Sequence, residues 1–363
     1  MHNSVTPCPD IERNFHALDC GITHQSESGS MTASTIIEPI RWGILGTGRI
    51  AHAFATALME TPGATLAAVG SRNADNAAQF ARQFGSPVAY GCYQALCDAP
   101  GVDIIYIGTP HPMHAANATM ALHGGKAVLC EKPFSMNLRE AEKVVALARE
   151  KNLFLMEAMW TRYMPALAAL RRIVASGEIG APRQLHADFG FCAPLDPAHR
   201  VNNRELGGGA LLDLGIYPLS IASAIMGPVT KVQAVAEMSA TGVDAQTGFT
   251  LLHAGGGMSI CSCSLVVKTA GELTVSGALG RVRMDAMFHC APSLTVTPLD
   301  GAARVVPTPF LGNGYVHEAI EASRCVREGL LESAGMTLDE TLALMRNLDT
   351  IRAQIGLRYH ADE

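Results

Sequence analysis

The sequence predicts an α/β protein, with an N-terminal doubly wound parallel sheet and a C-terminal α+β domain that has a large, mainly antiparallel open sheet. Up to about residue 157, short apolar runs alternate with segments of helical period. After about residue 180, strand-like runs follow one another with glycine-rich turns between them. The 363 residues suffice for two domains of about 150 residues each, and 48% hydrophobic against 17% charged residues excludes a chain without a core.

The first half alternates strands and helices in the order that a parallel sheet requires. Its strands are continuous apolar runs, typical of strands buried on both faces, and the helices between them imply right-handed crossovers. We predict strands at 42–45, 66–70, 104–107, 127–130 and 153–156, and helices at 49–60, 73–84, 112–123 and 137–150.

The second half has successive strands without intervening helices, which indicates antiparallel or mixed pairing. The predicted domains span residues 39–157 and 158–363, and the C-terminal helices are free to pack back on the first domain. Residues 1–38 lack a hydrophobic period and are predicted to be a disordered extension, while a start at Met31 is an open alternative for residues 1–30. We predict strands at 184–191, 229–238, 248–253, 258–267, 272–276 and 294–297, and helices at 315–329 and 337–357.

Charge and cysteine content exclude several classes of protein. With 27 basic and 33 acidic residues the net charge is −6, and no run of five Lys or Arg occurs, so no nucleic-acid partner is expected. Ten cysteines without a C-x-x-C pair or paired Cys/His spacing predict reduced thiols and no metal site, which favours the cytoplasm. No apolar run reaches the ~18 residues of a membrane span and the first 30 residues lack a signal-peptide pattern, so no membrane partner is expected.

The strongest motif is a G-x-G-x-x-A fingerprint, formed by Gly46, Gly48 and Ala51 between the first predicted strand and helix. Gly46 permits a tight turn, Gly48 lets a pyrophosphate approach the backbone, and Ala51 allows close helix–strand packing. The alternative is a merely glycine-rich turn. The motif predicts a Rossmann dinucleotide-binding domain over residues 39–157, with the cofactor contacts Gly46, Thr47, Gly48, Arg49 and Ile50.

The residues after the second strand predict which dinucleotide binds. An acidic residue there would bind the ribose 2′-hydroxyl of NAD, whereas Ser71 and Arg72 supply a hydroxyl and a guanidinium suited to the 2′-phosphate of NADP. NADP is therefore the predicted cofactor. The nearby Asp75 leaves NAD open, and a solvated surface role is the alternative for Arg72.

The exit of the fourth strand carries a second group of candidate contacts, because ligands of open sheets bind at the carboxyl ends of strands. Thr109 and Pro110 follow this strand directly, and His111 and His114 come next. We expect Thr109, Pro110 and His114 to contact the cofactor. A helix-start or surface position is the alternative for either histidine.

The exit of the fifth strand reads Glu131-Lys132-Pro133. Two opposite charges directly after a buried strand are typical of a site rather than of a solvated turn, which is the alternative. Lys132 can bind a substrate hydroxyl and lower the pKa of a neighbouring acid, while Glu131 can orient either the cofactor ribose or Lys132.

These motifs resemble the glucose-fructose oxidoreductase, inositol dehydrogenase and MocA (Gfo/Idh/MocA) family, above all in Glu131-Lys132-Pro133. The string at 207–217, with three consecutive glycines followed by Asp213 and Tyr217, looks like the family's second signature. The resemblance covers residues 40–357. It implies an NADP-dependent oxidoreductase in which Lys132, Asp213 and Tyr217 are the catalytic and substrate-binding residues, with residues 158–363 as the domain for substrate binding and dimerisation.

Tyr217 stands where inositol dehydrogenase types have His, so the likeness is closer to the dimeric dihydrodiol dehydrogenases and the NADP-dependent D-xylose dehydrogenases. The segment 155–163 also resembles those groups, which implies that Trp160 and Arg162 lie near cofactor and substrate. The resemblance further implies a homodimer and a small sugar, polyol or trans-dihydrodiol substrate. The alternatives are a non-catalytic dinucleotide sensor and an NAD-dependent glycosidase of the same family.

The chemistry of these residues agrees with that assignment, because oxidation of a carbinol requires the hydroxyl proton to leave. We expect Lys132 to lower the pKa of Tyr217 from its usual ~10, so that the phenol acts as base, and to donate to the developing alkoxide. Asp213 would share one helical turn with Tyr217, although Pro218 disfavours that turn and a helix cap is the alternative for Asp213. Further candidates for the substrate pocket, each with an ordinary core or surface alternative, are Phe191, His199 and Arg200.

Overall fold

The computed structural model describes residues 38–86, 88–194 and 196–363. Two sheets lie within residues 38–363, and these residues form one unit. The predicted extension at residues 1–38 lies outside the described residues except for Glu38.

The first sheet is parallel, as the sequence predicts, and contains six strands, one more than the five predicted. Its strands are β1 (Ile40–Leu45), β2 (Ala64–Gly70), β3 (Val88–Tyr90), β4 (Ile104–Ile107), β5 (Ala127–Glu131) and β6 (Leu155–Ala158). They pair in the order β3-β2-β1-β4-β5-β6. Strands β2 and β3 lie on one side of β1 and strands β4 to β6 on the other, so the topological switch point lies between β1 and β4. The connecting helices are α1 (Arg49–Met59), α2 (Ala74–Phe84), α3 (Tyr93–Cys97), α4 (His114–His123) and α5 (Leu138–Lys151).

Local sequence explains where these helices begin and end. Asn73 and Asn137 accept hydrogen bonds from the third residues of α2 and α5, and Gly85 ends α2 in the left-handed conformation. The sequence analysis missed β3 and α3, because three and five residues are too few to show a period.

The second sheet has eight strands in the order β14-β13-β12-β11-β7-β10-β9-β8 and is antiparallel except for the pair β7 and β10, which confirms the predicted open, mainly antiparallel sheet. Its first four strands in the chain are β7 (Pro182–Gly190), β8 (Val229–Met238), β9 (Asp244–His253) and β10 (Met258–Ser264). The remaining strands are β11 (Leu273–Gly277), β12 (Gly280–Met284), β13 (Ser293–Pro298) and β14 (Arg304–Pro307).

One face of this sheet packs against helices α6 (Pro165–Ala175), α7 (Ile216–Met226) and α9 (Leu338–Ile355). The sequence analysis missed α6, although its apolar residues have helical spacing behind an N-terminal proline. It also missed β12, whose two arginines interrupt the apolar run, and β14, which is a largely exposed edge strand.

The helix α8 (Tyr315–Arg327) returns to the first sheet and packs against α1 and β1. Its Ala319, Ala322 and Cys325 lie in the same core cluster as Trp42. The Trp42 indole N–H donates to Ser323 Oγ at 3.2 Å. This contact fixes α8, and the loop before it, beside the carboxyl ends of the parallel strands.

One helical stretch, Arg204–Met226, is long and apolar enough to cross a membrane, and 89% of its most apolar window is buried inside the protein. It packs on β7 and β10 as a core element. Every cysteine in the described part of the chain is a free thiol.

Candidate active site

Lys132 lies at the end of β5 and reaches the segment that precedes α7. Its Nζ donates to the Asp213 backbone carbonyl at 2.7 Å and lies 3.6 Å from Asp213 Oδ1. The same Nζ lies over the Tyr217 ring, 4.6 Å from its centroid. The three residues that are predicted to be catalytic therefore meet, although Lys132 lies 81 positions before Asp213 in the chain.

The helix that carries Asp213 and Tyr217 continues through Pro218, although a proline at this position was expected to disfavour the turn. Residues Leu211–Gly215 form a π-helical turn that continues directly into α7. In a π-helical turn the amide five residues on would bond the Asp213 carbonyl, and that residue is Pro218, which has no N–H. The Asp213 carbonyl is thereby left for the Lys132 ammonium.

Asp213 is a buried carboxylate held between two cations. Arg200 donates to it in a fork, with distances of 3.2 Å and 3.1 Å from its two terminal nitrogens to Oδ1 and Oδ2. Burial opposes ionisation, but the charges of Lys132 and Arg200 outweigh it and hold the pKa of Asp213 well below its usual range. The structure thus brings the pocket candidate Arg200 into the site as the partner of Asp213.

Tyr217 lies beside Trp160, whose indole N–H donates to the phenol oxygen at 3.1 Å. Burial raises the pKa of Tyr217 above its usual value, despite this hydrogen bond. The expected lowering by Lys132 is therefore wrong for this structure. The physical reason is that the ammonium lies over the ring rather than at the oxygen, while desolvation penalises the phenolate.

Tyr217 and four neighbouring rings form an aromatic wall. Trp160 packs on Tyr315 with centroids 4.6 Å apart, and Phe189 meets Tyr217 edge-on at 5.4 Å. The members of this wall are Trp160, Phe189, Tyr217, His289 and Tyr315. The sequence analysis missed Phe189, His289 and Tyr315, because they come from β7, a one-turn helix and α8 and share no local motif.

Glu131 contacts the backbone of Lys132 and not its ammonium. The Tyr106 hydroxyl donates to Glu131 at 2.5 Å, and the other carboxylate oxygen accepts from the Lys132 backbone N–H at 3.0 Å. Glu131 therefore holds the backbone of Lys132, while Asp213 holds its ammonium. Burial raises the pKa of Glu131.

His114 is fully enclosed, which corrects its prediction as a direct cofactor contact. Its ring nitrogens lie 2.8 Å from the carbonyl oxygens of Thr109 and Pro133. The side chain therefore ties the loop after β4 to the loop after β5. Thr109 is also buried, and its hydroxyl accepts from Asn117 at 3.0 Å. Of the three contacts predicted on this loop, Pro110 is the part-exposed one.

The turn between β1 and α1 fits a dinucleotide pyrophosphate. Gly46 has φ +111°, and a Cβ there would lie 3.0 Å from the Gly108 carbonyl oxygen. Gly48 caps α1 with no side-chain hydrogen bond and no acidic residue in the first turn. Apart from its chain neighbours, no atom of the described residues lies within 4 Å of its Cβ position. The predicted contacts Thr47, Arg49 and Ile50 border this open helix N-terminus, where backbone N–H groups favour an anion.

The end of β2 presents the residues predicted to select the cofactor. Thr47 Oγ1 and Ser71 Oγ lie 3.5 Å apart, which places Ser71 beside the turn, and Arg72 is exposed next to it. Asp75 lies in the first turn of α2, where its charge suits the helix N-terminus.

Arg162 is not part of the cluster around Lys132. Its guanidinium donates to Ser220 at 2.7 Å and to Glu340 at 2.6 Å, so it links the segment after β6 to α7 and α9. The pocket candidate Phe191 packs at the margin of the core, and His199 directly precedes Arg200 in a half-buried loop. His111 lies closer to the site, with Nδ1 at 3.1 Å from the Gly207 carbonyl.

The central glycine of the three at 207–209 is required by a close backbone contact. A Cβ at Gly208 would lie 2.6 Å from the Val201 carbonyl oxygen, so only glycine allows this approach. The approach places the loop that carries Arg200 against the helix that carries Asp213.

Comparison with known proteins extends these observations. A family model described as an oxidoreductase family with NAD-binding Rossmann fold matches residues 40–159, and the GFO/IDH/MocA C-terminal domain matches residues 167–284. Trans-1,2-dihydrobenzene-1,2-diol dehydrogenase of Mus musculus is 37% identical over 89% of this chain and 99% of its own. The Homo sapiens protein of the same name is 36% identical over the same shares.

Solved structures that are similar to this chain are also oxidoreductases. KijD10, a 3-ketoreductase from Actinomadura kijaniata crystallised with NADP and TDP-benzene, is 26% identical with a TM-score of 0.79, over 88% of this chain and 98% of its own. An aldose-aldose oxidoreductase from Caulobacter crescentus, complexed with glycerol, is 26% identical with a TM-score of 0.80, over 87% and 97%. This chain therefore belongs to the GFO/IDH/MocA family and is an NAD(P)-dependent oxidoreductase of the dehydrogenase and reductase type.

Proposed function

We propose that the protein transfers hydride between NADP and the carbinol or carbonyl carbon of a small diol, polyol or sugar, with Lys132, Tyr217 and Asp213 as its catalytic residues. The observation that carries the proposal is the position of the Lys132 ammonium, between the Asp213 carboxylate and the Tyr217 ring. The dihydrodiol dehydrogenases and sugar-active enzymes that this chain resembles support the substrate class.

The nicotinamide, when bound, accepts or supplies the hydride. Tyr217 keeps its proton at neutral pH, since burial raises the pKa of the phenol. Trp160 donates to the phenol oxygen, so the phenol O–H is directed toward another acceptor. In carbonyl reduction this O–H protonates the substrate oxygen, and the Lys132 ammonium stabilises the negative charge that develops there.

Oxidation uses the same groups in reverse. The carbinol proton passes to Tyr217 only when the phenol is ionised, so the oxidation rate increases with pH. Asp213 positions the ammonium through its carbonyl and carboxylate, and Arg200 keeps that carboxylate ionised. In this arrangement Trp160 and Lys132 also bind the substrate.

The preference for NADP rests on the end of β2. Arg72 is exposed beside Ser71, in a position where its guanidinium can meet a 2′-phosphate. Relatives crystallised with NADP support this preference. NAD is the other cofactor to be tested.

We also propose a cytoplasmic homodimer that forms through the open face of the second sheet. Large apolar side chains are exposed on it: Val235 is 76%, Leu252 42% and Ile260 36% exposed. A second copy of the same face would bury them. The predicted boundary near residue 157, between cofactor and substrate domains, belongs to the same proposal.

The test is a panel of trans-1,2-diols, inositols and aldoses, D-xylose among them, with NAD and NADP in parallel. Absorbance of the reduced nicotinamide should increase with at least one carbinol and faster with NADP. If no substrate reduces either cofactor, while both bind, the protein is a sensor. If glycosides are cleaved without net reduced cofactor, it is a glycosidase.

A further inference from the structure

His289 is a polar member of the aromatic wall for which the proposed chemistry has no use. It lies on the one-turn helix Phe288–Cys290 and is only 8% exposed. Its ring stacks on Phe189, with centroids 4.5 Å apart and an interplanar angle of 17°. The rings of Trp160 and Tyr217 are both 5.6 Å away. A histidine thus borders the two side chains that define the reacting position.

The position of the ring proton follows from the surroundings of the two nitrogens. Nδ1 is enclosed and has no hydrogen-bond partner among the described residues. A buried N–H without an acceptor is rarer than an acceptor without a donor, so we assign the proton to Nε2. Burial and the nearby charge of Lys132 lower the pKa of His289 to about 4, so the ring is neutral at physiological pH. Nε2–H is the group left to meet a bound molecule.

The rest of the wall offers a ligand mainly ring surface. Phe189 has no polar side-chain atom, the polar atom of Trp160 is used by Tyr217, and the part-exposed Tyr315 adds a phenol to its ring. A molecule bound here would find the Lys132–Tyr217 pair at one carbon and the neutral His289 donor beside Tyr217. This pattern matches a substrate with an oxygen on the carbon next to the reacting one.

We propose that His289 is a specificity residue, whose Nε2–H donates to the oxygen on the carbon next to the one that exchanges hydride. The inference rests on the proposed function and narrows it to substrates that carry an oxygen on the carbon next to the reacting one, such as a vicinal diol and the corresponding hydroxyketone. His289 takes no part in proton or hydride transfer.

Two variants separate the hydrogen bond from the packing. His289→Phe keeps an aromatic ring and removes the donor, whereas His289→Gln keeps a donor and removes the ring. With trans-1,2-cyclohexanediol at saturating NADP, His289→Phe should raise KM about tenfold to a hundredfold and leave kcat within about threefold. His289→Gln should recover most of that loss. His123→Gln, an exposed position at the end of α4, is the matched control.

An unchanged KM in His289→Phe would overturn the proposal, and so would an equal or larger increase of KM in His289→Gln, since that variant keeps a donor. The Kd for NADP, measured by fluorescence titration, should be the same in both variants as in wild type. An increase of this Kd alongside the increase of KM would also count against the proposal. If wild type oxidises no carbinol, the proposed function fails separately. Calorimetric binding of the diol to the enzyme with NADP then tests His289 alone, and the same tenfold loss in His289→Phe is expected.

Discussion

Replacing Lys132 with methionine removes the ammonium and keeps a side chain of similar length. The variant loses the 2.7 Å hydrogen bond to the Asp213 carbonyl and the charge 3.6 Å from its carboxylate. Arg200 still holds Asp213 through two contacts, so the carboxylate stays ionised and the helix stays in place. The loss therefore falls on the transition state, where a negative oxygen loses its cation. Removing one such donor costs about 100- to 1,000-fold in kcat, or about 3–4 kcal/mol.

The assay is steady-state oxidation of the best diol in the panel, together with fluorescence titration of NADP. We expect kcat of Lys132→Met to fall about 100- to 1,000-fold, while its Kd for NADP stays within about threefold of the wild-type value. Lys143→Met, an exposed change on α5, is the control and should match wild type. A decrease in kcat of less than about tenfold, or a Kd that increases as much as kcat falls, would refute the role given to Lys132.

Three further predictions concern the proton, the cofactor and the fold. Because the pKa of Tyr217 is raised, the rate of diol oxidation should increase with pH without a plateau below pH ~10. Tyr217→Phe should lose about 100-fold or more in kcat and should also lose this pH dependence. A plateau of the wild-type rate near pH 8 would contradict the role given to the phenol. Arg72→Ala should raise KM for NADP about tenfold or more and leave KM for NAD unchanged, whereas equal effects on both would mean a surface role. Gly208→Ala should lower Tm by several degrees, since its Cβ would lie 2.6 Å from the Val201 carbonyl oxygen, while Gly101→Ala, at an open position, should not.

Much of the fold could be predicted because its central strands are buried on both faces. β4, β1 from Trp42 onward and β5 up to Cys130 are continuous apolar runs, and the glycine turn at Gly46 marks where β1 meets a helix. Elements without such a signal were missed. β3 has three residues, and β14 is an exposed edge.

The meeting of Lys132, Asp213 and Tyr217 could be predicted, because Lys132 follows a buried strand and the resemblance to the family's second signature adds Asp213 and Tyr217. His289 and Phe189 could not, since long-range packing in the second domain brings them to Tyr217. The direction of the Tyr217 pKa shift could not be predicted either. It depends on burial and on where the ammonium lies relative to the phenol oxygen, and neither is a property of sequence spacing.

In the proposed oxidation the nicotinamide would receive the hydride of the carbinol carbon, while Tyr217 takes the hydroxyl proton and Lys132 stabilises the charge on the substrate oxygen. This oxidation is tested most directly by the stoichiometry of one reaction: a trans-1,2-diol is incubated with NADP, and the hydroxyketone and the reduced nicotinamide are measured in the same sample. We expect one hydroxyketone per reduced nicotinamide in wild type, and about 100-fold less or still less of both products over the same time in Tyr217→Phe. Product without reduced nicotinamide, or an unchanged yield in Tyr217→Phe, would contradict the account.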